Sequence, residues 1–424
     1  MPLPTLDDIR SYNPWLKGES FEVPSFKRPI YYEIERIVGK KFIIALTGLR
    51  RVGKTTLLKQ LGNNLRGEKF FFSFEEDLFA NYASLKHVVE TFLEMSEKPT
   101  IFLDEIGRIK GWAGLLKKYH DLGKAKFIVS GSSALQITKG KESLAGRLME
   151  YTLMPWQFEE FLALKGIVAK KISAKSIEKA YLQWDKIGET EITEFLKKGG
   201  FPELLDVQNE TDIKKYIRAS TIDKIVFEDI PHIFAVEDKD KLYDILCYVA
   251  RESGNILLPS HLGQALEVSK DTVKKYLFYL KYAYLVELLP IEGSTIKSFR
   301  RPKKVYASCP SISYALSLDY DESRLVETAV FAKLNNESKE LFFFRDAQKH
   351  EVDFTGKLVI ESKWKNQITD ADLKSLWYFM KKKRIKKAIV VSKHFEVKKK
   401  EDMLVYCLPL AFFLLLDLTE FKFK

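Results

Sequence analysis

The chain has 424 residues, 46% hydrophobic and 30% charged, which excludes a disordered polymer and gives enough material for about two to four domains. The net charge of +11 points to an anionic partner, nucleic acid first, against the blander reading of a merely Lys-rich background. The longest apolar run, Tyr406 to Leu418, is too short to span a bilayer, and the N-terminus has no apolar signal core.

Cys247, Cys309 and Cys407 are far apart and match no metal or disulfide spacing, so a reducing cytoplasm is expected. Scarce Gln beside abundant Lys and Glu leans towards a thermophile.

Prolines 2, 4, 14, 24 and 29 predict an extended arm over residues 1 to about 35. Apolar strands then alternate with helical patterns to about Pro155, at Phe42–Thr47, Lys69–Glu75, Thr100–Asp104, Lys126–Ser130 and Glu150–Leu153. That alternation predicts a parallel α/β domain. A helical stretch follows to about residue 240, with one long helix expected over 211–230.

The stretch GLRRVGKTT, Gly48 to Thr56, carries the phosphate-loop pattern between a strand and a helix, the context that motif needs. Gly48 and Gly53 let the backbone curl, and the N–H groups of Arg51, Val52, Gly53, Lys54 and Thr55, with Thr56, are expected to hold phosphate oxygens. Lys54 should reach the β- and γ-phosphates of ATP, and Thr55 should ligate Mg²⁺. Arg50 either adds charge near the phosphates or faces another subunit.

The strand TIFLDEI places Asp104 to hold the Mg²⁺ shell and Glu105 to orient or deprotonate the attacking water. The alternative is a solvated acidic turn. At the end of KFIVSGSS, Ser130, Ser132 or Ser133 could sense the γ-phosphate, with Ser132 the choice. Arg147, in SLAGR, either completes a neighbour's site in a homo-oligomer or makes an ordinary salt bridge.

The series NPWLKGE, TGLRRVGKTTLL, FLDEI, SGSSAL, SLAGR, LMPWQFEEF and GGFPE resembles archaeal and bacterial AAA-type ATPases that carry a winged-helix region and a C-terminal nuclease-like domain. Trp156 and Gln157 stand where that family more often has Leu–Ser. The resemblance implies ATP/ADP as ligand and a winged-helix fold, while DNA is expected as a partner from the net charge of +11 and a helix-turn-helix pattern.

In ILLPSHLGQALEVSKDTVKKYL, a helix from Pro259 and a second from Lys270, capped by Ser269, form a helix-turn-helix pattern. Val273, Leu277 and Leu280 make its inner face, while Lys270, Lys274 and Lys281 line another. Two strand-like runs flank the basic SFRRPKK. The module reads DNA or serves as a packing partner.

Asp353 on one strand, Glu361 and Lys363 two apart on the next, and Glu327 on the preceding helix resemble a PD-(D/E)xK nuclease core. There the carboxylates bind Mg²⁺ and the Lys orients water. The alternative is a charged hairpin in a module without nuclease activity. Lys381–Lys387 and Lys398–Lys400 could hold a phosphate backbone.

The expected architecture is multidomain α/β. A P-loop AAA-type parallel sheet with the arm spans 1–155, a helical lid 156–240, a winged helix 241–315, and a restriction-nuclease-like α/β domain 316–424. The function expected is Mg²⁺-dependent ATP hydrolysis coupled to DNA. The alternative is a nucleotide-controlled switch whose C-terminal domains bind protein.

Overall fold

Runs of five or six apolar residues, each leading into a helix, are the pattern of strands buried on both faces of a parallel sheet. A computed structural model, describing residues 2–132, 144–293, 301–338 and 340–421, forms two units. The first comprises Met1–Met154, Asp229–Ala235 and Tyr282–Tyr284.

Its strands are β1 (Ile43–Gly48), β2 (Lys69–Ser73), β3 (Thr100–Asp104), β4 (Lys126–Ser130) and β5 (Leu148–Leu153). They lie all parallel in the order β2-β3-β4-β1-β5. Every residue of β1 is buried, so its sequence shows no alternation. Helices Lys54–Asn64, Tyr82–Met95 and Trp112–Asp121 connect the strands. Phe70 stacks on Phe92 at 4.6 Å within the core. With β4 between β1 and β3, the carboxyl ends of these three strands meet at one edge, where ligands of open α/β sheets bind.

The arm is not simply extended. Thr5 and Asp8 cap a helix at Leu6–Ser11 reciprocally, and Pro29 opens another at Pro29–Glu35, since proline is accommodated in a first turn. Buried Asn13 takes the place of a missing strand beside edge strand β2: its Oδ1 accepts from the Phe71 N–H at 2.6 Å and its Nδ2 donates to the Phe71 carbonyl at 2.9 Å. Trp15 bonds Asn63 at 2.9 Å and lies against Gly62, where a Cβ would stand 2.3 Å from the indole.

The second unit comprises Pro155–Glu228, Val236–Lys281 and Leu285–Lys424. The short β6 (Ile172–Ser173) pairs with the late β16 (Leu416–Asp417). The long helix expected over 211–230 is instead Glu210–Ile217 followed by wider π-type turns at Arg218–Ile222 and Lys224–Asp229. Pro231 can neither donate to the Phe227 carbonyl nor fit beside it, and regular α-geometry gives way there.

Helices Pro259–Ala265 and Lys270–Tyr282 precede an antiparallel sheet of β7 (Ile256–Leu257), β9 (Lys303–Ala307) and β8 (Val286–Pro290), in that order. Val273, Leu277 and Leu280 are buried. Helix Glu322–Glu337 then leads to β10 (Leu341–Arg345), β11 (Glu351–Gly356), β12 (Ile360–Ser362), β13 (Lys387–Ser392), β14 (Glu396–Lys400) and β15 (Met403–Pro409). These form a mixed sheet, β10-β11-β12-β13-β15-β14, with helix Lys374–Lys383 between β12 and β13. Among the described residues no helix is long and apolar enough to cross a membrane.

Candidate nucleotide site and carboxylate cluster

β1 delivers the chain through Gly48 into the loop before helix Lys54–Asn64. Gly48 has φ +140°, and a Cβ there would stand 2.2 Å from the Leu153 carbonyl oxygen on β5. The neighbouring strand therefore demands glycine independently of any ligand. Arg51 and Gly53 also have positive φ, 67° and 95°. Such curled backbone gathers N–H groups around an anion, and the helix N-terminus adds its dipole.

Gly48→Ala should destabilise this unit by about 2–4 kcal/mol, from overpacking plus backbone strain. Gly53→Ala, where a Cβ meets nothing within 4 Å, should cost only the strain. Thermal melts compare the two, and equal losses would contradict this account of Gly48.

Lys54 is buried, and its Nζ donates to the carbonyls of Gly48 and Leu49 at 3.1 and 3.0 Å. Burial lowers its pKa, with Glu105 and Asp104 opposing the shift. Thr55 Oγ1 donates to Asp104 Oδ2 at 2.6 Å, and Ser130 Oγ donates to Asp104 Oδ1. Burial first, then the neighbouring Glu105 charge, push Asp104 up to about 6 against these hydrogen bonds and Lys54. Glu105 sits at φ +54° and its N–H donates to Ser130 Oγ at 3.1 Å. A non-glycine residue in that region stores strain of a kind that gathers at functional sites.

Thr55 and Asp104 border a cavity of ≈ 330 Å³ also lined by Lys59, Ser73 and Glu75. A hydroxyl beside a carboxylate is a hard oxygen pair suited to Mg²⁺. Val52 is buried and Thr56 half-buried in the first turn. Ser132 is buried just past β4; Ser133 lies outside the described residues. Ser130, rather than Ser132, makes the contacts to Asp104 and Glu105.

Arg147 precedes β5, and its carbonyl accepts from the Ile43 N–H. It therefore stands at the amino edge of the sheet, about 15–20 Å of strand away from its own phosphate loop. Its Nε donates to Asp121 at 2.6 Å.

Four residues around the loop are not marked by any motif. Arg28 on the arm donates to the carbonyls of Val52 and Met154 at 3.1 and 2.9 Å. Asp229 and Glu75 both take Arg50, at 3.4 and 3.1 Å. Tyr284 Oη donates to Thr47 Oγ1 at 2.8 Å. Each joins residues at least 24 positions apart, so no local pattern could reveal them.

In the second unit the four residues singled out converge. Ser362 N–H donates to Asp353 Oδ2 at 3.0 Å, Asp353 N–H to Glu361 Oε2 at 3.1 Å, and Lys363 Nζ to Glu361 Oε1 at 2.6 Å. Glu327 Oε1 accepts from Tyr306 Oη at 2.8 Å. A further residue stands among them. Lys304, on β9, is buried with its Nζ 2.7 Å from Asp353, 3.0 Å from Glu351 and 3.5 Å from Glu327.

Burial and the Asp353 charge push Glu361 up to about 7. Burial would also raise Asp353, but Lys304 and Lys363 outweigh it and hold that carboxyl below its ordinary range. Among the described residues no group of three or more His, Cys, Asp or Glu is arranged to hold a metal ion. A divalent ion does not fit beside the ammonium already there.

The basic stretches look different in three dimensions. Lys303 and Lys304 of SFRRPKK are buried. Lys274 and Lys281 pair with Asp271 and Glu287. Lys381, Lys383 and Lys386 pair with Glu401, Glu292 and Asp402, and Lys398 with Glu396.

Residues 40–162 match a family model described as an AAA domain. This segment has the AAA P-loop fold. That fold supports nucleotide binding and hydrolysis. Residues 189–322 and 322–413 match two domains of unknown function, DUF8612 and DUF4143.

An uncharacterised protein of Methanocaldococcus jannaschii is 27% identical over 348 residues, 79% of this chain and 77% of the relative. One of Haemophilus influenzae is 27% identical over 261 residues, 58% of this chain and 61% of the relative. Among solved structures, the Thermotoga maritima RuvB Holliday junction branch migration motor is 17% identical, with TM-score 0.32, over 66% of this chain and 92% of that one. A signal transduction ATPase with numerous domains from Pyrococcus horikoshii is 13% identical, with TM-score 0.27, over 76% and 47%. Scores this low do not bear on function.

Proposed function

We propose that the first unit binds Mg²⁺·ATP at Gly48–Thr56 and hydrolyses it, and that this cycle is coupled to DNA. The observation that carries the reading is the meeting of Thr55, Asp104 and Ser130 at one sheet edge, beside Lys54 and Glu105. The loop N–H groups and Lys54 would take the phosphates, Thr55 and Asp104 would hold Mg²⁺, and Glu105 would position water. Ser130 would keep Asp104 in place. Arg147 is too far from its own loop to act there, so in this reading it serves a neighbouring copy's site. Arg50 bridges Glu75 and Asp229 beside the loop.

The net charge of +11 and the helix pair followed by a small antiparallel sheet, in the manner of a winged helix, support DNA as partner. The order of helix Glu322–Glu337, β10 to β12, helix Lys374–Lys383 and β13 supports a nuclease-like fold for the C-terminal part. The second reading, a nucleotide-controlled switch with no catalysis beyond the ATP site, is favoured by the ion-paired lysines of helix Lys270–Tyr282.

ATP turnover with and without duplex DNA, at low and high salt, separates the two. The DNA reading expects stimulation that fades as salt rises. Unchanged turnover in every condition would leave the switch.

A further inference from the structure

A buried ammonium is costly unless its protons find acceptors, and Lys304 finds three carboxylates. Its side chain is only 2% exposed. The cluster it enters is already hydrogen-bonded: both oxygens of Asp353 and both of Glu361 accept a hydrogen bond. Four carboxylates, Glu327, Glu351, Asp353 and Glu361, face Lys304, Lys363 and Arg345. Mg²⁺ would need oxygens at about 2.1 Å, in space the ammonium holds, and would meet its repulsion.

The lysine also comes from a different sheet. β9 pairs with β7 and β8, whereas Asp353 lies on β11. Tyr306, two residues along and hence on the same face of β9, reinforces the join by stacking on Phe331 at 4.0 Å and bonding Glu327.

We propose that Lys304 is the resident cation of the Asp353 cluster, a tethered ammonium standing where a carboxylate–lysine nuclease site would hold a divalent metal, and that it keeps this site metal-free while latching β9 to β11. The comparison with a metal site rests on the nuclease-like reading. The latch rests on the contacts alone. The consequence is a C-terminal part that does not cleave phosphodiesters while Lys304 is seated.

The test is Mn²⁺ binding to the full chain without nucleotide, so its outcome is separate from that of the ATPase assays. Wild type should show no Mn²⁺ site that depends on Asp353. Lys304→Met should gain about one Mn²⁺ per chain, since it frees a set of hard oxygen donors, and Lys304→Met/Asp353→Asn should lose it again. Mn²⁺ binding or plasmid cleavage by wild type that disappears in Asp353→Asn would overturn the proposal, as would a folded Lys304→Met that gains no site. If Lys304→Met alone does not fold, the double variant, which removes both charges, should recover a cooperative melt. Failure to recover would show that the two are not each other's partner and would equally overturn it.

Discussion

Lys54→Ala is expected to reduce ATP turnover by at least about 100-fold, the scale for losing one preorganised group that stabilises transition-state charge. The side chain is buried, and its Nζ sits on the carbonyls of Gly48 and Leu49, so it is already delivered to the loop by the backbone that would bind the phosphates. Burial lowers the pKa of this amine, and a phosphate anion would restore the preference for the charged form. Alanine removes both the charge and the contacts that shape the loop, so affinity for ATP should fall along with turnover. Phosphate release at varied ATP measures both. Turnover at the wild-type rate would show that the catalytic site lies elsewhere.

Glu105→Gln should behave differently. The amide keeps the size of the side chain and its strained φ of +54°, and it leaves Thr55 and Asp104 untouched. ATP binding should therefore persist while hydrolysis falls about 10²–10⁴-fold, the range for losing a general base. Removing the Glu105 charge also relieves the second cause of the raised Asp104 pKa, so Asp104 stays ionised. Equilibrium binding of a fluorescent ATP analogue, set beside phosphate release, separates the two effects. Loss of binding in step with turnover would mean that Glu105 shapes the site rather than acting on water.

The parts of the fold that local physics dictates were readable in the sequence. The sequence pattern predicts β3 and β4 over Thr100–Asp104 and Lys126–Ser130, where they occur, because short apolar runs between helices have few other solutions. The arm's helices were hidden by its prolines, although Thr5 with Asp8 and Pro29 carried the capping signals. The tie of Arg28 to Val52 and that of Arg50 to Asp229 depend on chain folding across 24 and 179 residues, beyond any periodicity. Lys304 was masked for another reason. All five residues of β9 are buried, so the strand lacks the alternation that would mark an inward lysine, and its neighbours Arg301 and Lys303 made the stretch look like a solvated basic wing.

Whether this loop and these carboxylates form an ATP hydrolase is decided by phosphate release from ATP by the purified wild-type chain, with Mg²⁺ and with the metal chelated. Turnover should require Mg²⁺ and vanish in Lys54→Ala. Release no faster than a protein-free control in Mg²⁺, from a folded sample, would contradict the hydrolase reading.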